Sequence, residues 1–335
     1  MDVFDLQPSF PQLLLLLVGL LSIIWLLWRP TRKPILKRGP ADKTKEDKVT
    51  RMVLIGKTGA GKSATGNSIL GFKAFDPVRR MSSQTQVCKR KTAKINDIEV
   101  QVVDTPGVLD TDRDQADVEK EITKCICLSA PGPHVFIMTI RLCDRFTSEE
   151  FAAYEMLKGM FGDKVVKYMI VVFTYGDQLE GTTVQEILET APKTMKQVMQ
   201  EVNNRYVVFD NKATGEDSDR QVVDLMNMVD DLKSTFGAQE EFFTNTETEK
   251  AEQEIGEEVR KLMTKHNIGE KAAREMFMKQ IENGEKNSFL DNVGKAMGIG
   301  LLITAALTVA SGGSGIVALG LVLAADKAKK LCAVM

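Results

Sequence analysis

Histidine is almost missing from this chain of 335 residues: there are two, His134 and His266. The five cysteines, Cys88, Cys125, Cys127, Cys143 and Cys332, form no CxxC pair and share no Cys/His metal spacing. Both scarcities argue against a zinc site. Net charge is also small, −2 at neutral pH, so no global basic field points to nucleic acid as a partner. No internal repeat is visible. The length allows one large or two small domains, at roughly 100–200 residues each.

What is present begins with Gly56, Lys57, Thr58, Gly59, Ala60, Gly61, Lys62 and Ser63, followed by Ala64. The run has the pattern GxxxxGK(S/T). It follows an apolar stretch of strand character, Arg51–Ile55, and precedes the helical stretch Ala64–Leu70. Glycines let backbone N–H groups converge on phosphate oxygens, where a Cβ would block the approach. The helix N-terminus adds partial positive charge. Lys62 is positioned to reach the β- and γ-phosphates, and the Ser63 hydroxyl to hold Mg2+. A nucleotide core implies the reducing cytosol, so the first four cysteines read as free thiols.

From about residue 49 to 236 apolar strand runs alternate with helical stretches, the signature of an α/β fold with a mainly parallel sheet. Strands are expected at Met52–Ile55, Val100–Val103, Val135–Ile140, Tyr168–Phe173 and Tyr206–Phe209. Helices are expected at Ser63–Leu70, Gln115–Leu128, Ser148–Phe161, Thr183–Val202 and Gln221–Leu232. The second of these strands runs into Asp104-Thr105-Pro106-Gly107. Asp104 can hold Mg2+ through water and the Gly107 amide can donate to a γ-phosphate. Thr85, in a polar loop with Ser82 and Ser83, is the candidate to complete the metal shell. The set Ser63, Thr85 and Asp104 is therefore the expected metal site.

At the end of the fourth strand stands Thr174-Tyr175-Gly176-Asp177, where a guanine reader usually has Asn-Lys-x-Asp. Asp177 can accept from the guanine N1–H and 2-amino groups, which adenine does not supply in that arrangement. This opposes an ATP-using P-loop protein. Thr174 replaces the asparagine, and Tyr175 replaces the lysine with a ring that could stack on the base. After the fifth strand, Phe209-Asp210-Asn211-Lys212 can close the far side, with Asn211 the preferred candidate. The position after the aspartate motif, glutamine in Ras-like proteins, is Val108 here, so unaided hydrolysis should be slow. Arg145, after the third strand, is either a charge-stabilising group acting in such an assisted reaction or a solvated arginine at a helix start.

The ends of the chain have a different character. Leu13–Trp28 carries no charge, and its sixteen residues span ~24 Å as a helix, close to a ~30 Å hydrocarbon core. Asp2 and Asp5 precede it and Arg29, Arg32, Lys33, Lys37 and Arg38 follow. That charge order opposes a signal peptide and places the later residues in the cytosol, as a single-pass membrane anchor. Residues 29–48, basic and proline-containing, read as a disordered tether able to lie on anionic headgroups. Residues 237–290 are charged and helical in pattern. Ile255, Val259, Leu262 and Met263 form one apolar stripe, and Ala273, Phe277 and Ile281 another, with a break at Gly269. Helices folded back on the preceding domain are the expectation. Residues 291–335 hold the Gly/Ala-rich run Ala296–Ala325, read as membrane-associated or as a buried helical hairpin, and end in Cys332-Ala333-Val334-Met335, the form of a prenylation box.

GKTGAGKSATGNSILG at 56–71, DTPGVLD at 104–110 and LSAPGPHVFIMTIRLCDRFTSEE at 128–150 resemble the GTPases of immunity-associated proteins, the GIMAP or immune-associated nucleotide-binding family. FTYGDQLEG at 173–181 and NNRYVVFDNKA at 203–213 fit its later guanine motifs, although Tyr175-Gly176 departs from the more usual arginine-lysine. The resemblance covers roughly residues 50–235. It implies a septin-like G domain, GTP or GDP with Mg2+ as ligands, and homodimers or homo-oligomers formed through the nucleotide face, with related GIMAP-type proteins as further candidate partners. In some members an arginine at the position of Arg145 acts across the dimer, so Arg145 is expected to be catalytic beside Thr85 of the polar loop. The functional expectation is a membrane-anchored GTPase with slow, dimer-assisted hydrolysis. A GTP-dependent membrane scaffold with negligible hydrolysis is the alternative.

Overall fold

A computed structural model of the chain describes residues 38–39, 49–76, 87–105, 115–142, 144–236 and 241–297. Several expected features lie outside these residues: Thr85, Gly107 and Val108, the apolar run Leu13–Trp28, nearly all of the run from Ala296, and the terminal Cys332.

Seven strands form one sheet in the order β1-β3-β4-β2-β5-β6-β7. They are β1 (Arg38–Gly39), β2 (Val49–Ile55), β3 (Lys89–Ile95), β4 (Ile98–Asp104), β5 (Val135–Arg141), β6 (Met169–Thr174) and β7 (Tyr206–Phe209). β2 runs parallel to β4 and β5, and β6 parallel to β5 and β7. β5 and β6 are buried along almost their whole length, as strands covered on both faces must be. Helices α1 (Lys62–Leu70), α2 (Gln115–Leu128), α3 (Ser148–Phe161), α4 (Val184–Thr190), α5 (Lys193–Glu201) and α6 (Gly215–Phe236) connect or follow the strands.

Three expectations are corrected here. β3 was not foreseen, because Lys-Arg-Lys-Thr-Ala-Lys-Ile turns only Ala93 and Ile95 into the core. It pairs antiparallel with β4, so the sheet is mixed at this side. β1 lies in the stretch expected to be a disordered tether; Arg38 and Gly39 instead pair antiparallel with Ile95 and Lys94. The single helix expected over 183–202 is two, because Pro192 excludes its predecessor from helical geometry: Ala191 has φ −66° and ψ 153°.

Beyond the sheet come α7 (Thr246–His266), α8 (Glu270–Glu282) and α9 (Asn287–Met297). Asn245 and Thr248 close a capping box at the start of α7, and Asn267, at φ 51°, ends it. The two apolar stripes face inward, with Ile255, Val259, Ala273, Phe277 and Ile281 buried. These helices pack on α2. Arg90 of β3 reaches Glu275 at 2.6 Å and Glu282 at 3.6 Å, and Lys124 Nζ donates to the Glu282 carbonyl at 3.0 Å. A Cβ on Gly294 would lie 2.8 Å from Thr123 Oγ1, so α9 approaches α2 closely. Helix α9 runs across residue 290, where a change to a membrane-associated segment was expected. Among the described residues no helix is long and apolar enough to cross a membrane.

Candidate functional site

The parallel strands deliver their C-terminal ends to one edge, where open α/β sheets place ligands. Register sets the alignment: Asp104 is opposite Leu54, and Thr174 is opposite both Arg141 and Phe209. The loop from Gly56 to Gly61 crosses this edge from β2 to α1. Gly56 has φ 140°, and a Cβ there would come within 2.5 Å of the Thr139 carbonyl. Gly61, at φ 93°, starts α1 with Thr174 and Asn211 close behind it. Only glycine accepts both demands.

Lys62 is buried, and its Nζ donates to the carbonyls of Gly56 at 2.8 Å and Lys57 at 3.0 Å. The ammonium therefore lies inside the curl of the loop. Lys57, Thr58 and Gly59 form the exposed crest, Ala60 is buried, and Ala64 lies half-buried in the first turn of α1. Ser63 Oγ donates to Asp104 Oδ2 at 2.6 Å, and Asp104 is buried. A hydroxyl and a carboxylate held together are hard-oxygen donors of the kind Mg2+ takes. Among the described residues no cluster of His, Cys, Asp and Glu could hold a metal alone. The Ser63–Asp104 pair thus fits Mg2+ whose remaining ligands are phosphates and water.

On the base side, Thr174 is fully buried, and its hydroxyl donates to the carbonyls of Ala60 at 2.8 Å and Ile140 at 3.3 Å. It ties β6 to the phosphate loop instead of facing the base. Asn211 also works inward: its Nδ2 donates to Thr65 Oγ1 at 3.1 Å, and its Oδ1 accepts from Ser68 Oγ at 2.9 Å. Asp177 is the carboxylate left at the rim, paired with Lys212. That partner holds the Asp177 carboxyl below the usual carboxylate range. Lys212 belongs to the run Phe209–Lys212 expected to close the far side of the base, with Asn211 preferred; it is Lys212 that meets Asp177. Tyr175 stands between Thr174 and Asp177 in the left-handed region, at φ 62° and ψ 40°.

The segment after β5 lies beside these groups. Thr147 and Glu150 form a capping box that fixes the start of α3. Glu149, in that first turn, meets Lys57 of the loop at 2.6 Å. Arg145 is exposed and makes no hydrogen bond or ion pair among the described residues. It lines a cavity of about 590 Å3 with Arg141, Asp144, Phe146, Leu188 and Met195.

A model of the AIG1 family matches residues 50–263. Immune-associated nucleotide-binding protein 13 of Arabidopsis thaliana is 39% identical over 185 residues, covering 54% of this chain and 55% of that protein. GTPase IMAP family member 8 of Mus musculus is 34% identical over 196 residues, covering 57% of this chain and 28% of its own length. The chain thus spans about half the length of the plant relatives it matches, and less of the mouse one. Among solved structures, Toc33 from Arabidopsis thaliana in complex with Mg2+ and GMPPNP is 16% identical, with a TM-score of 0.44 over 56% of this chain and 86% of that one. At that level the likeness adds nothing to what the strand order shows.

Proposed function

The chain belongs to the AIG1 family, and from that premise we propose that it binds GTP and GDP with Mg2+ and hydrolyses GTP slowly, faster when two copies meet. The observation that carries the reading is one sheet edge that brings together the Gly56–Gly61 loop, the Ser63–Asp104 pair and Asp177. Lys62 moves from its loop carbonyls onto phosphate oxygens. Ser63 and Asp104 would hold Mg2+, which would supply charge neutralisation on the phosphates. Asp177 accepts from the guanine edge once Lys212 gives way. Thr174 and Asn211 brace the base side from within, and Gly107 and Thr85 complete the phosphate and metal contacts. The reaction is in-line attack of water on the γ-phosphate, with Arg145 of a second copy stabilising the developing charge. Its exposure suits that role.

Attachment to a membrane through Leu13–Trp28 belongs to the same proposal, supported by the uncharged run and the basic residues after it.

Affinities for GDP, GTP and ATP, with and without Mg2+, test the binding. Guanine should be preferred, and Asp177→Ala should abolish the preference; equal affinity for ATP would refute it. Hydrolysis per molecule should rise with protein concentration, and Arg145→Ala should flatten that rise. Binding with no turnover at any concentration would instead leave the GTP-dependent scaffold.

A further inference from the structure

Arg141 ends β5 directly opposite Thr174. Its guanidinium carbon lies 4.1 Å from the centre of the Tyr175 ring. Its Nη1 is 3.4 Å from Asp144 Oδ2, one residue before Arg145. Its Nε is buried with no hydrogen-bond partner. One side chain thus touches both the base-side turn and the loop that carries the exposed arginine.

Tyr175 is well fixed for a residue at a loop. Thr174 before it is bonded to the phosphate loop, and Gly176 after it backs onto Val208, where a Cβ would come within 2.8 Å. The ring stays only half-buried with the guanidinium over it. A half-open aromatic ring two residues from the base-reading carboxylate offers a stacking surface. A planar guanidinium can cover such a ring and still pair with a carboxylate through its edge, which a lysine cannot do. The Lys57–Glu149 pair also reaches the segment after β5, but it joins that segment only to the phosphate loop.

We propose that Arg141 is a positioning residue that couples the two halves of the site. It backs the Tyr175 ring as the platform on which guanine stacks, and through Asp144 it sets the loop that presents Arg145 to a second copy. Guanine settling on Tyr175 steadies Arg141, and Arg141 steadies Asp144. The cavity beside Asp144 and Arg145 gives that loop room to take another position when the platform is bare. This rests on the proposed function and adds to it the route by which the base influences hydrolysis.

The test measures GDP affinity, and hydrolysis per molecule against protein concentration at saturating GTP, on the full chain. Arg141→Gln should weaken GDP about two- to fivefold and lower the concentration-dependent slope by a similar factor. Asp144→Asn should lower the slope while GDP affinity stays within about twofold. Tyr175→Ala should weaken GDP by roughly five- to 150-fold, the range of a lost base–aromatic stack, and Tyr175→Phe should restore it. The H8 proton of bound GDP should show a ring-current shift in the wild type and in Tyr175→Phe that Tyr175→Ala lacks. Should Arg141→Gln fail to fold, Asp144→Asn and the Tyr175 pair test the link from its two ends. An Arg141→Gln or Asp144→Asn protein with an unchanged slope overturns the coupling. A Tyr175→Ala protein that keeps its GDP affinity, or a Tyr175→Phe protein that loses it equally, overturns the platform. A wild type that binds ATP as well as GTP, or whose rate is flat in concentration, overturns the proposed function and takes the coupling with it.

Discussion

Thr174 Oγ1 donates a 2.8 Å hydrogen bond to the carbonyl of Ala60, joining the strand that leads to Asp177 to the Gly56–Gly61 loop. The two ends of the candidate site are therefore joined at one sheet edge, although 114 residues separate the partners. A buried hydroxyl between two carbonyls has no water to replace it.

Thr174→Val keeps the shape and removes the donor, leaving buried carbonyls at Ala60 and Ile140 with one hydrogen bond fewer. The expected cost is about 1–3 kcal/mol of stability, read by denaturant unfolding. Nucleotide release should also quicken in stopped-flow chase. A variant as stable as the wild type would show that the link contributes little.

Ser63→Ala removes one member of the Ser63–Asp104 pair. A lost hydrogen bond or ligand contact to a charged group is worth about 1.5–3 kcal/mol, so GTP affinity with Mg2+ should fall roughly 10- to 150-fold. In EDTA the variant and wild type should bind alike. A loss of equal size in EDTA would place the serine's contribution elsewhere.

His134 accepts a hydrogen bond from the Arg51 amide at 2.9 Å, and burial, with Arg51 and Lys233 nearby, pushes its pKa down to about 2. The unfolded chain would titrate near 6.5. Above that pH both states are neutral at this residue and its stability contribution is complete. Below it only the unfolded state takes the proton, so stability falls by about 1.4 kcal/mol per pH unit from this residue. Unfolding free energies between about pH 6 and 5 should therefore slope less steeply in His134→Gln, by one proton. Parallel curves would count against a neutral, buried imidazole.

Phe243 is fully buried and packs against the rings of Phe136, Phe161 and Tyr168 at 5.5–5.7 Å between centroids. It anchors the segment leading to α7 beneath the sheet. Phe243→Ala should cost about 3–5 kcal/mol, seen as a lower unfolding midpoint. Calorimetry should show whether α7 to α9 then melt apart from the rest; a midpoint equal to the wild type would refute the anchoring.

Much of this arrangement was legible in the sequence because it follows from short-range pattern. The apolar runs of β2, β5 and β6 announce covered parallel strands, and the glycine spacing announces the phosphate loop. Asp104 could be placed because it ends a strand. β3 escaped notice because a strand with Lys89, Arg90, Lys91 and Lys94 among its seven residues shows no apolar run. Pro192 was a visible break that the helical period of its neighbours outweighed. The links of Arg141 to Tyr175 and of Lys212 to Asp177 join separate strand ends that only the sheet register brings together. Thr174 and Asn211 lie at or just after strand ends as the sequence pattern indicates, but nothing in the letters told that their side chains turn inward, to Ala60 and to Thr65 and Ser68.

In the proposed complex, the pairing of Lys212 with Asp177 makes admission of the base an ion exchange. A purine that claims the carboxylate evicts an ammonium into solvent, and dissolved salt helps that eviction by screening the pair. The same salt loosens the grip on phosphate, so rising ionic strength should act in opposite senses on a bare guanosine and on its triphosphate.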